Sequence, residues 1–300
     1  MDLRTVNKRK FKAEYAWGYL FVMPTIIGLA ILNIYPLFDT LVLSLYKKQG
    51  LVGMKFVGLE NYVKLFGDSL TWQSTINTFL YVLYTVPIGI LISLILATML
   101  NNKIRFKSLF RGIYFLPIVV APAAVTLVWK WIFNSEFGIL NQFIGLFGIK
   151  GPVWISTPGV TLIAAAIIGI WSNVGYDLVM ILAGLQSIPS TLYEAADIDG
   201  VNAWQRFFYI TIPQLSPVLF FVTVMRTMNS LKQFDTIYLL VDRSNPAFRS
   251  TQTLMVQFYI EAFQKYNQGY GAAIATWMFV IIMLITVLQF VGEKKLVHYT

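Results

Sequence analysis

The stretch Tyr193–Pro213, YEAADIDGVNAWQRFFYITIP, starts acidic and small-sided, is broken by one glycine and closes on a proline. Long apolar runs flank it on both sides. A compact polar segment between such runs reads as a surface connection between two membrane spans, because a spanning helix needs about 20 mostly apolar residues.

Composition agrees. Of 300 residues, 57% are hydrophobic and only 12% charged, whereas a soluble domain carries about a quarter charged residues. The chain therefore falls in the integral-membrane class. It contains no cysteine, which excludes disulfides, and its single histidine, His298, disfavours a metal site. A net charge of +9 raises the thought of nucleic acid, but the basic residues cluster beside apolar segments, as membrane topology requires.

Six segments are long enough to span: about 16–45, 75–100, 112–133, 159–186, 209–234 and 272–292. They predict an all-α bundle of six transmembrane helices. The first follows the basic run RTVNKRKFK (Arg4–Lys12) and is too long for a cleaved signal peptide. With Pro24, Asn33 and Pro36 inside it, it reads as a retained, broken transmembrane helix. With the N-terminus placed inside, one side holds Arg4, Lys8, Arg9, Lys10, Lys12, Lys103, Arg105, Lys107, Arg111, Arg206, Lys294 and Lys295. Those are twelve of the 23 basic residues, packed into the shorter connections, so both termini are expected to be cytoplasmic. The expected division is a cytoplasmic segment 1–15, a membrane domain 16–292 and a cytoplasmic tail 293–300. Three longer loops, about 46–74, 134–158 and 235–271, lie on the outer side. The last includes TLMVQFYIEAF (Thr253–Phe263), which fits a short helix lying at the interface and serves either as a lid or docking surface or as loop packing.

Within the opening stretch, Pro189 is expected to end the preceding span. Thr191 and Glu194 fit a capping box at the start of a short helix. Ala195 and Ala196 favour helix with little bulk, and Gly200 suits a left-handed stop. Pro213 and Pro217 mark the entry to the fifth span. Two readings stand: a simple connector, or a rigid knob that inserts into a partner's groove. Some twenty residues exceed the usual connection between neighbouring helices, which favours the knob.

The spacing Glu194-Ala195-Ala196, three residues, Gly200, nine residues, Ile210-Thr211-Ile212-Pro213 resembles the EAA loop (about 187–208) of ABC importer permeases, with Ile212 where the pattern has leucine. GLQSIPSTLYEAADIDG (Gly184–Gly200) with AWQRFFYITIPQLSP (Ala203–Pro217) is similar to the carbohydrate branch of that family. So are FVGLENYVKLF (Phe56–Phe66), YFLP (Tyr114–Pro117), WKWIFNSEFGILN (Trp129–Asn141) and GYGAAIATW (Gly269–Trp277). LLVDRSNP (Leu239–Pro246) departs from the Gly-Gly-Pro turn of many relatives. The resemblance covers residues about 15 to 292.

It implies a type I importer permease in a bacterial or archaeal cell membrane. The implied partners are a second six-span permease, two cytoplasmic ATP-binding subunits, an external solute-binding protein, a sugar and membrane lipid, with no nucleic acid. The sequence lacks a G-x-x-x-x-G-K-[ST] phosphate loop. The chain is thus expected to be a transport subunit rather than an enzyme, binding no cofactor of its own, with ATP and magnesium on the ATPase. Glu194, Ala195, Ala196 and Gly200 are expected to carry the coupling. Asp197 and Asp199 are potential partners for ATPase arginines, and Arg206 fits that role or that of a solvated surface charge.

Polar groups inside a bundle are costly and usually face a cavity. In FFVTVMRTMNSLKQFD (Phe220–Asp235), Arg226, Asn229, Ser230 and Gln233 fall at i, i+3, i+4 and i+7, one helical face. Trp171, Asn173, Tyr176 and Asp177 form a second group in the fourth span. Both are candidates for the substrate pathway, and interhelical hydrogen bonding is the competing reading. An aromatic ring beside amides suits a sugar. Arg226 is expected either to pair with Asp177 or to meet an acidic sugar or glycerol-phosphate-like solute. A secondary transporter is the rival class; it would be expected to show internal repeats, and none is found.

Overall fold

The computed structural model describes residues 3–48, 53–102 and 105–297, with backbone alone for 3–14, 295 and 296. Lys103 and His298 lie outside the described residues. In chain order the helices are α1 (Leu3–Leu29), α2 (Tyr35–Leu43), α3 (Glu60–Gly67), α4 (Ser69–Asn101), α5 (Lys107–Val119), α6 (Pro122–Ile132), α7 (Ile139–Gly145) and α8 (Val160–Ser187). They continue with α9 (Ser190–Ile198), α10 (Ala203–Arg206), α11 (Ile212–Leu231), α12 (Asp235–Leu240), α13 (Ala247–Thr251), α14 (Leu254–Tyr259) and α15 (Gln268–Leu296). A two-residue antiparallel pair, β1 (Tyr46–Lys47) with β2 (Lys55–Phe56), is the one sheet among the described residues.

Five helical runs are long and apolar enough to cross a bilayer: Tyr15–Leu43, Ser69–Asn101, Val160–Ser187, Ala203–Leu231 and Gln268–Lys294. The third crossing in chain order differs from the sequence expectation. Instead of one helix over 112–133, α5 and α6 meet at 103°. The cause is local: Val120 and Ala121 are extended (ψ 137° and 134°), and Pro122 opens α6. Proline disfavours helical backbone in the residue before it and has no N–H to continue the ladder.

The first crossing is corrected in the other direction. It is not broken: α1 passes into α2 through a π-helical turn, Ala30–Ile34. The widened turn accommodates Pro36, which lacks an amide to donate to the preceding turn. In the fifth crossing, α10 runs through a second π turn, Phe207–Thr211, into α11, so the run starts before the expected residue 209.

The central helix is α8. In Val160–Ser187, 56% of its 18-residue apolar stretch is buried, against 0% in that of Tyr15–Leu43. Small residues let its neighbours approach, as in other membrane bundles. Ala164 and Ala165 are fully buried, a side chain at Gly175 would strike the Tyr114 carbonyl of α5, and one at Gly184 would meet Leu215 and Val218 of α11. α4 lies along the same helix, with Ala97 and Leu100 packed among Leu178, Ile181 and Leu185.

At the end opposite α9, Asp68 caps α4, accepting from Leu70 N at 3.0 Å and from Tyr270 Oη at 2.9 Å. The segment 253–263 does not lie out at an interface. Leu254 and Val256 are fully buried, and Leu254 N donates to Thr78 Oγ1 of α4 at 3.0 Å. Leu254, Val256 and Ala262 serve packing, the second of the two readings, whereas Phe263 is exposed.

Candidate functional site: a surface knob and an intramembrane polar cavity

The knob begins where α8 ends. Ile188 and Pro189 are extended, and α9 starts directly at Ser190. This overturns the expected capping box: Thr191 lies inside the helix, and no side chain caps its start. Proline fixes the entry two residues too early for Thr191 to occupy the cap. The capping box forms instead at α10, where Asn202 Oδ1 accepts from Gln205 N at 2.9 Å and Gln205 Oε1 accepts from Asn202 N at 3.1 Å.

Gly200 stops α9 with φ +69°. Val201 N donates back to Ala196 O at 3.0 Å and Gly200 N to Asp197 O at 3.3 Å, the paired bonds of a Schellman turn. Two contacts fold the helix onto the entry of α11. Tyr193 Oη lies 3.1 Å from Thr211 Oγ1, and Arg206 Nη1 donates to Asp197 Oδ1 at 2.7 Å.

Glu194, Ala195, Asp199 and Gly200 are exposed, whereas Ala196 faces inward and is 3% exposed. Asp197 already has an intramolecular partner in Arg206. The sequence reading missed the apolar part of this surface: Ile198, Trp204 and Tyr209 are each at least three-quarters exposed. Their position beside the polar stretch was the available signal.

The second constellation lies between α4, α8 and α11. Arg226 of α11 pairs with Asp177 of α8, through Nη1 and Oδ2, and both side chains are 4% exposed. Arg226 Nε donates to Thr85 O of α4 at 3.0 Å, and Thr85 Oγ1 lies 3.0 Å from Ser230 Oγ. Arg226 Nη2 is buried without a hydrogen-bond partner.

A cavity of about 60 Å³ is lined by these groups with Tyr81, Asn173, Tyr176, Asn229 and Gln233. A neighbouring cavity of about 230 Å³ shares Gly169, Asn173 and Gln233 and opens beneath the α5–α6 break. Glycines make room: a side chain at Gly89 would meet the Arg226 guanidinium, and one at Gly169 the Tyr81 hydroxyl.

Most of the expected pathway residues thus meet in one place. Gln233 lines the cavity although it lies beyond α11, whose last residue is Leu231, so it reaches the wall from a loop rather than from the expected helical face. Trp171 does not line it. Its ring packs edge-on against Trp129, 5.7 Å between centroids, and both border an apolar groove of about 660 Å³. Two residues before Asn173 is about 200° around an α-helix, so its separation from Asn173 was available from spacing alone. Tyr81 and Thr85 were missed; they sit four apart, one turn, on a span otherwise read as plain apolar helix. Among the described residues no group of acidic, histidine or cysteine side chains is placed to hold a metal.

An apolar bundle enclosing a polar cavity, with a folded knob at one end, defines a membrane transport component. Residues 89–298 match the profile of the binding-protein-dependent transport system inner membrane component family. The chain belongs to that family and is a multi-pass inner-membrane permease. It is 37% identical to the lactose transport system permease protein LacF of Rhizobium radiobacter over 292 residues, 96% of this chain and 97% of that one. Against the sn-glycerol-3-phosphate transport system permease protein UgpA of Pectobacterium atrosepticum it is 30% identical over 300 residues, 98% and 99% of the two chains. Its fold resembles a chain of a bacterial ABC transporter that imports the acidic polysaccharide alginate, with TM-score 0.82, 21% identity and 97% and 99% coverage.

Proposed function

We propose that the chain is one permease of an ATP-driven importer for a sugar or oligosaccharide. It forms half of the translocation pathway beside a second permease. ATP is hydrolysed on two separate cytoplasmic subunits, and an external binding protein delivers the solute. The knob, on the cytoplasmic side, is the surface on which an ATPase rests, with Glu194, Ala195, Asp199 and Gly200 presented to it. Ala196 and Asp197 act from behind by holding the knob's shape. The polar cavity is the substrate path.

One observation carries the mechanism. The knob is tied by Tyr193–Thr211 and Asp197–Arg206 to the entry of the same helical run that bears Arg226, Asn229 and Ser230. Thr211 and Arg226 are separated by about 22 Å of helix at 1.5 Å per residue. A displacement of the knob therefore moves the cavity wall as part of one rigid element. At about 60 Å³ the cavity is far below the roughly 300 Å³ at which ligand pockets begin, so a sugar enters only when the helices separate. Alternating access supplies that separation.

The test is ATP hydrolysis by the assembled transporter in liposomes, with its binding protein and a saccharide panel. Stimulation by one sugar class, lost in Glu194→Ala and Gly200→Asp variants that still assemble, supports the reading. Sugar uptake without an associated ATPase removes it.

A further inference from the structure

We propose that Asp177 is a specificity-determining residue: by cancelling the charge of Arg226 it makes the cavity select uncharged solutes over anionic ones. The inference rests on the reading of this cavity as the substrate path. The ion pair is 96% buried on both sides, and both of its partners line the cavity. No second cation lines that cavity.

The physical argument concerns a third charge. An anion entering this wall is drawn to Arg226 and repelled by Asp177 at similar range, so the two nearly cancel. Its own loss of hydration is not cancelled. A hydroxyl or ring oxygen loses far less on leaving water, and Asn173, Asn229 and Ser230 on the same wall can hydrogen-bond it. With Asp177 neutralised, the wall holds an uncompensated buried cation, and an anion both gains attraction and relieves that charge. Full-length relatives act in transport of lactose and of glycerol 3-phosphate, so the fold serves neutral and anionic cargo alike. A local charge device can decide between them.

The experiment uses the assembled transporter in nanodiscs with a non-hydrolysable ATP analogue to hold the helices apart, methyl β-glucuronide as the anionic probe and methyl β-lactoside as its neutral counterpart, read by saturation-transfer NMR. Wild type is expected to show no saturable binding of the glucuronide. Asp177→Asn should bind it saturably, at least about tenfold tighter than the detection limit at which wild type shows nothing, a gain of the size a new charge-assisted contact gives. The double variant Asp177→Asn/Arg226→Gln, again without net charge, should lose that gain whatever its absolute affinity. If Asp177→Asn does not assemble, Asn229→Lys replaces it, since Asn229 is exposed on the same wall and adds one unpaired cation. Glucuronide binding to wild type, its absence from the assembled cationic variant, or its persistence in the double variant overturns the proposal. Asn229→Trp, which fills the cavity, separates the two readings. If it leaves sugar-stimulated ATP hydrolysis and uptake intact, the cavity is not the path and the functional reading fails. If it blocks them while the charge variants gain nothing, only the role of Asp177 falls.

Discussion

The guanidinium of Arg226 rests on the bare backbone of Gly89, where any Cβ would occupy its place. A glycine in the middle of α4 is thus what allows the arginine of α11 to reach Asp177 on α8 and Thr85 on α4 itself. Gly89→Leu is expected to drive the guanidinium away and leave Asp177 buried alone, a change that costs about 3–5 kcal/mol. The measurable outcome is a lower melting temperature of the purified complex and loss of uptake, with Gly89→Ala milder. Unchanged stability in the leucine variant would show that the pair does not depend on this approach.

A second glycine contact offers a suppressor test. Gly169→Ala should collide with the Tyr81 hydroxyl and cost roughly 1–3 kcal/mol as overpacking. Tyr81→Phe removes that oxygen and should restore much of the loss when the two changes are combined. Thermal melts of the single and double variants check this, and strict additivity would refute it.

Glu194 is exposed and enters none of the hydrogen bonds or ion pairs found among the described residues. Glu194→Ala is therefore expected to alter the permease's own stability by no more than about 0.5 kcal/mol. Sugar stimulation of ATP hydrolysis should nonetheless fall sharply. A parallel drop in melting temperature would instead assign Glu194 a structural role.

Gly200 occupies a left-handed conformation at the end of α9. Gly200→Val should cost about 1–2 kcal/mol in that conformation, whereas Gly200→Asn, a residue that visits it readily, should cost less. Hydrogen exchange across Ser190–Arg206 reads this directly: protection lost in the valine variant and largely kept in the asparagine one. Equal protection in both would mean that the turn is held by its neighbours.

The apolar spans were legible because hydropathy over about 20 residues is a property of the segment alone. What escaped depends on one backbone position or on a neighbour. Pro122 breaks the third crossing, while Pro24, Pro87 and Pro217 lie inside helices that continue. Composition treats all four alike. Thr191–Glu194 and Asn202–Gln205 both carry a capping-box spacing, and the chain uses the second because Pro189 sets where α9 starts. Helical spacing correctly grouped Asn173, Tyr176 and Asp177 on one side and Arg226, Asn229 and Ser230 on the other. Tyr81 and Thr85 could be assigned only once α4 was known to complete the same wall.

The 103° turn at Val120–Ala121 also bears on how the protein is made. During synthesis, the run from 112 to 133 meets the insertion machinery as a continuous greasy stretch, and its apolar character alone suffices to commit it to the bilayer. The elements that pack beneath the extended backbone at its centre, α8 and α12, both come later in the chain. Biogenesis is accordingly split in time: topology is settled early, while the cavity beneath the turn comes into being only after the C-terminal half has been translated. A nascent permease halted before Val160 would be an inserted protein without a transport site.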